Sequence, residues 1–361
     1  MIKDIKMSGI QYFFLIIGLV FGSTAFSHPT LAAYQDAWVS FILGWVAGFV
    51  LMTVYLLLYK LNPGKTIIGI LQKNLGKIVG GIIAFLYILY FFHLGAIALR
   101  YSVEFLKTVT YFETPHLAIS IAGALTVAYV LKSGLEAIGR IGELIIPPVI
   151  FIILLIFFSL ITEYNPENIL PVMSRGIKPV LLVSFRTLTI SFGQMVVFLM
   201  IFPYLNSEAR IFKTSYLGMC VIGSLLLMIV FQELLVLGPD MVFRYIFPTQ
   251  LTARLLPVID VDQLIAVSYV ISGGIKIVIV ILAAIIGLAE LLNLKKYLFL
   301  VMPFCVLMIV VSFWLFEDIF YLLDWNLEIF PYYSIPFQII IPVILLLISF
   351  IKDKVVLKHE K

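Results

Sequence analysis

Long apolar runs alternate with short polar joints along the whole chain. The runs cover approximately residues 8–33, 37–59, 78–107, 116–132, 143–162, 179–204, 214–237, 262–290, 297–316 and 334–351. A helix that crosses a bilayer needs about 20 mainly apolar residues, and the runs meet that length, the fourth only just. A membrane β-barrel would instead show roughly 10-residue stretches of alternating hydrophobicity, and none is found here. The pattern therefore predicts an all-α polytopic membrane protein with ten transmembrane helices. It forms a single transmembrane domain over residues 1–361.

Two of the runs are interrupted by polar or flexible residues at membrane depth. In span 1 the stretch VFGSTAFSHP places Gly22, Ser23 and Thr24 ahead of Pro29. In span 6 the stretch SFGQMVVFLMIFP places Phe192, Gly193 and Gln194 ahead of Pro203. Ten spans divide into two halves of five, about 8–162 and 179–351, which cross the membrane in opposite directions. Matched interruptions in inverted repeats point to a ligand site near the bilayer midplane. Irregular backbone is tolerated there only where it lines a cavity or is buried in protein. The competing explanation is packing, since Gly18 with Gly22 and Gly44 with Gly48 each have the G-x-x-x-G spacing. Matched positions in the two halves favour the site.

Composition and charge fix the class and the orientation. Hydrophobic residues make up 63% of the chain and charged residues 12%, about half the charged share of a soluble domain. With the N-terminus inside, 16 Lys and Arg residues flank the cytoplasmic ends of the spans and 5 flank the outer ends. That bias places both termini in the cytoplasm. Arg100, Arg186 and Lys276 fall inside spans. The net charge of +4 thus reports topology and implies no nucleic-acid partner. Apolar character continuing past Phe26 to Ala33 argues for a retained spanning helix over a cleaved leader.

Catalytic and cofactor chemistry is not expected. Gly64-Lys65-Thr66 imitates the end of a phosphate loop, but Tyr59 stands where its first glycine belongs. Hydrolase, zinc-protease and paired-cysteine motifs are absent. Cys220 and Cys305 read as buried apolar fillers, and no metal or cofactor is implied.

The chemistry expected at the interruptions follows from helix ends. A half-helix restarting after a break begins with amides that lack partners, and its dipole favours an anion. The expected donors are the N–H groups of Ser23, Thr24 and Ala25, and those around Gln194 and Met195. An amino acid carboxylate suits such a nest, and released carbonyls suit its ammonium. Gly22 and Gly193 allow close backbone approach, while Ser23, Thr24 and Gln194 offer side-chain partners. Lys276 lies deep in span 8, where a charge at mid-membrane costs at least about 2.5–3.5 kcal/mol. It is expected to face a cavity or an acidic partner. Tyr90 and Leu94, four apart on span 3, share a face. His93 is expected to be a satisfied interior residue, and Arg100 with Glu104 a salt-bridged helix end. Arg186 and Glu233 are candidate gating partners.

Four stretches together carry a family resemblance: FGSTAFSHP in span 1, LRYSVEFLKTVTYFETP at 99–115, SFGQMVVFLMIFPYLN in span 6 and GGIKIVIVILAAIIGLAEL in span 8. The chain resembles the amino acid–polyamine–organocation transporter superfamily and, more narrowly, the B subunit of spore germinant receptors. The resemblance implies a multi-pass protein of the spore inner membrane that senses a small nutrient, typically an amino acid. It implies work in the lipid bilayer with an A subunit and a lipoprotein C subunit. Unwound parts of helices 1 and 6 would hold the ligand, with span 3 lining the pocket and Lys276 standing as a fixed or titrating cation in place of a metal ion. The implied ligand set is Gly22, Ser23, Thr24, Tyr90, Leu94, Phe192, Gly193, Gln194 and Lys276. An amino acid permease with proton- or sodium-coupled alternating access is the alternative. The family often carries Glu where this chain has Gln194, so the nutrient's identity does not transfer from relatives.

Overall fold

The computed structural model describes residues 7–24, 29–206, 208–256 and 261–359. Its elements are helices throughout. Helix α1 (Gly9–Thr24) starts on a reciprocal cap. The Ser8 amide donates to Gln11 Oε1 at 3.0 Å and the Gln11 amide donates to Ser8 Oγ at 3.1 Å, which satisfies two amides left over at a helix start. A 3-10 turn at Leu31–Asp36 leads into α2 (Ala37–Lys60). The short α3 (Ile67–Leu75) is capped by Thr66, whose Oγ1 accepts from the Gly69 amide. The Gly64-Lys65-Thr66 stretch is therefore a helix cap. Single glycines then turn the chain: Gly76 at φ 82° joins α3 to α4 (Lys77–Val109), and Gly134 at φ 89° joins α5 (His116–Ser133) to α6 (Leu135–Ser159). Only glycine holds that conformation without strain.

The second half begins with α7 (Ile177–Thr187), which changes its hydrogen-bond pattern without leaving the helical path. A π turn covers Leu188–Phe192 and a 3-10 helix covers Gly193–Met200. Then come α8 (Glu208–Leu237), the short α9 (Pro239–Arg244) and α10 (Pro248–Ala253), α11 (Val261–Leu291) and α12 (Val301–Leu315). The last stretch strings together α13 (Ile319–Asp324), α14 (Phe330–Ile335) and α15 (Ile341–His359), joined by π turns at Trp325–Ile329 and Pro336–Ile340.

Among the described residues, nine helical stretches are long and apolar enough to cross a membrane. The 16 described residues of helix α1 span roughly 24 Å at 1.5 Å per residue. They lie within the expected span 1 of 8–33, of which residues 25–28 lie outside the described ones. Two boundaries move. Span 5 begins at Leu135 instead of 143, because Glu136 and Arg140 pair at 2.6 Å one turn apart on the helix surface. The last span runs from Ile319 to Asp353 instead of 334–351, so most of the stretch 317–333 between the last two apolar runs is helix.

Burial sorts the helices into a centre and a rim. Helix α1 packs on α8, α11 and α6, and α11 also packs on α4. Most of α11 is buried, whereas Phe151 of α6, Val306 of α12 and Leu347 of α15 face outward. In a bilayer those outward apolar side chains meet lipid. The short α10 packs against α8 and α11, burying Thr249, Gln250 and Thr252.

Candidate functional site

The two polar interruptions meet each other. Ser23 Oγ lies 2.8 Å from Leu19 O and 3.1 Å from Gln194 Oε1, so its one proton serves either acceptor. Thr24 Oγ1 lies 2.9 Å from Val20 O and 2.8 Å from Ser191 Oγ. Gln194 Nε2 donates to Ile190 O at 2.8 Å, satisfying a carbonyl in the π turn. All four side chains are buried. Helix α1 and span 6 are thus pinned side chain to side chain where both sequences interrupt their apolar runs.

The amides expected to hold an anion are placed differently. Ser23 and Thr24 occupy the last turn of α1, where N–H groups are used within the helix and the free ends are carbonyls. The end of α1 is therefore the negative pole of its dipole. Gln194 and Met195 lie inside a continuous 3-10 helix. Ala25 lies outside the described residues.

Beside the junction is a closed cavity lined by Gly22, Ser23, Leu94, Gln194 and Lys276, together with Ile97, Ala98, Tyr101, Ile190, Asn326 and Phe330. Its volume of about 10 Å³ is room for about one water molecule. Lys276 is 4% exposed. Among the described residues it makes no hydrogen bond or ion pair, so the expected acidic partner is not found there. Asn326 is 4% exposed, and its Nδ2, beside the Tyr101 hydroxyl, makes no hydrogen bond of good geometry. Sequence reasoning missed Asn326 because it read that segment as an outer loop.

Four expected ligand residues point elsewhere. Tyr90 accepts a hydrogen bond from Gln338 Nε2 at 2.8 Å, and its ring stacks on Phe337 at 4.5 Å. Phe192 packs on Phe41, and its Cβ would sit 2.8 Å from a methyl group placed on Gly48. Thr24 belongs to the junction and does not line the cavity. Gly193 faces Gln338, whose Cδ would lie 2.5 Å from an added methyl group. Gly22 likewise faces protein, since an added methyl group would sit 2.8 Å from the Ser272 carbonyl carbon on α11. Both glycines admit close contact with protein, although Gly22 also borders the cavity.

Charges near the far end of the bundle complete the picture. Arg186 pairs with Glu328 at 2.5 Å, not with Glu233, which accepts from Thr249 Oγ1 at 2.5 Å. Arg100 and Glu104 pair at 2.7 Å, with His116 Nε2 3.5 Å from the same carboxylate, as expected for a salt-bridged helix end. His93 packs edge-on against Trp325 and Tyr333.

Comparison with known proteins gives a consistent answer. The family described as spore germination protein matches residues 6–318. Spore germination protein KB of Bacillus subtilis (strain 168) is 28% identical over 97% of this chain and 96% of its own length. Spore germination protein YndE of the same organism is 26% identical over 61% of each. Among solved structures, MhsT in complex with L-phenylalanine superposes with a TM-score of 0.62 at 11% identity, over 86% of this chain and 79% of that one. A mutant of the Eremococcus coleocola manganese transporter gives 0.62 at 15% identity, over 92% and 78%. At such identities the likeness shows the fold, which is that of membrane transporters.

Proposed function

Because the chain belongs to the spore germination protein family, we propose that it is the nutrient-sensing membrane subunit of a germination receptor. An amino acid is its proposed ligand, held between α1, α4, span 6, α11 and the last span. The observation that carries this reading is the pinned junction of Ser23 with Gln194 and Thr24 with Ser191 beside a cavity holding Lys276. A closed cavity with a polar wall admits a small ligand only if that wall parts. Ligand contacts then compete with the Ser23–Gln194 contact and shift the balance between joined and parted forms. The A subunit and the lipoprotein C subunit would read that shift in the spore inner membrane. Halves 8–162 and 179–351 are proposed as the inverted repeats, with both termini cytoplasmic.

A germination assay on a strain carrying this receptor alone, nutrient by nutrient, tests the reading. Response to a defined nutrient is expected, together with little uptake by the purified protein in vesicles. The transporter fold favours one second reading, an amino acid permease. Gradient-driven substrate accumulation in those vesicles would replace the first reading with it.

A further inference from the structure

The cavity beside the Ser23–Gln194 junction has hydrogen-bond donors without a matching acceptor. Among the described residues that line it, Lys276 is the only formally charged one, and none is a carboxylate. Its ammonium carries three N–H donors. The Asn326 amide carries two more on Nδ2, which makes no hydrogen bond of acceptable geometry. Even if the neighbouring Tyr101 hydroxyl took one of them, one would remain. The Gln194 carbonyl oxygen, an acceptor in the same wall, shares the Ser23 proton with Leu19 O and takes no hydrogen bond from Lys276. A buried cation without a counter-charge is unfavourable at membrane depth. The opposite wall, at Gly22 and Ser23, belongs to the last described turn of α1, toward which the negative end of its dipole points.

We propose that Lys276 and Asn326 together receive the carboxylate of the nutrient, making this a site for carboxylate-bearing molecules without a cationic side chain. The inference rests on the cavity being the nutrient site. It orients the ligand: the carboxylate turns toward α11 and the last span, and the ammonium of an amino acid turns toward the end of α1. This is the reverse of an anion held on helix-1 amides. A second positive charge on the nutrient would meet Lys276 and be rejected. Entry requires the cavity to widen, with Phe330 and the Ser23–Gln194 contact giving way.

The test uses spores carrying this receptor and its partner subunits as the only receptor. They are exposed to the neutral, acidic and basic amino acids, to sugars and to nucleosides, with chloride replaced by sulfate in parallel. Each amino acid that triggers a response is then compared with its carboxamide and methyl ester. A response to a non-basic amino acid, with the half-response concentration raised at least tenfold by either modification, is expected. Lys276→Met should raise it at least tenfold with receptor abundance in the membrane unchanged. Should that variant fail to accumulate, Asn326→Asp, of equal size but negative, decides, with a loss of the same order expected. Equal response to the carboxamide, a response to a sugar or nucleoside, or a need for chloride in place of the carboxylate overturns the assignment and leaves the receptor reading standing. Silence toward every nutrient, with the receptor present in the membrane, overturns both.

Discussion

Gln338 fills the space that a side chain at position 193 would need. Its Cδ lies 2.5 Å from the site of a methyl group on Gly193, and its Oε1 is nearer still. The amide is held there by donation from Nε2 to Tyr90 Oη and Thr189 O, each under 3 Å. Tyr55 Oη reaches both backbones, 3.2 Å from Gly193 O and 2.7 Å from Gln338 O. The contact thus locks the 3-10 part of span 6 to the π turn of the last span.

Gly193→Ala should therefore destabilise the protein by about 1–3 kcal/mol, the usual cost of overpacking. Adding Gln338→Ala should restore part of that loss. Thermal unfolding of the detergent-purified single and double variants checks this. Additive losses would mean that the two residues are not coupled.

At Gly22 the obstacle is backbone. An added methyl group would sit 2.8 Å from the Ser272 carbonyl carbon, which cannot swing aside as a side chain does. Gly22→Ala should force α1 and α11 apart, lowering abundance and nutrient response together. Gly274→Ala is the control, since nothing lies within 4 Å of that position. It should leave both unchanged, and immunoblots of membrane fractions beside germination curves compare the two.

Most of the fold was readable because the apolar runs are long and most of the charges sit at their ends. Ser23, Gln194 and Lys276 were readable for the converse reason, as polar groups within apolar stretches. Asn326 was not. Asp324, Glu328 and Pro331 gave its neighbourhood the composition of a loop, whereas two π turns carry the helix through it. Spacing also placed Tyr90 and Leu94 on one face, yet it could not say which helix stands opposite. Leu94 meets the cavity, while Tyr90 meets Gln338 one turn away. Gly22 and Gly193 each meet protein closely, and a close approach of protein and a close approach of ligand leave the same mark in a sequence.

Gln194→Glu would supply the carboxylate that the cavity wall lacks. Both Gln194 and Lys276 line that wall, and a hydrogen bond to a charged group contributes about 1.5–3 kcal/mol. The variant should unfold at a higher temperature without nutrient and respond more weakly to a carboxylate nutrient. Unfolding midpoints measured with and without the nutrient test both halves of the expectation. A lower midpoint would show that the two groups do not meet.

Arg186 and Glu328 join span 6 to the last span, 2.5 Å apart. The arginine side chain is 8% exposed and the glutamate 64%. Exposure of one partner screens the pair, and exposed pairs contribute roughly 0.2–1 kcal/mol. That is too little to matter for folding but enough to bias a balance between joined and parted forms. Arg186→Gln and Glu328→Gln should each lower the half-response nutrient concentration by a similar factor, up to about fivefold if the whole ~1 kcal/mol biases the closed form. Unfolding midpoints should hardly move. The double variant should do no more than either single one, because both remove the same contact. Effects that multiply in the double variant, or thresholds that stay at the wild-type value, would show that the pair does not hold the closed form.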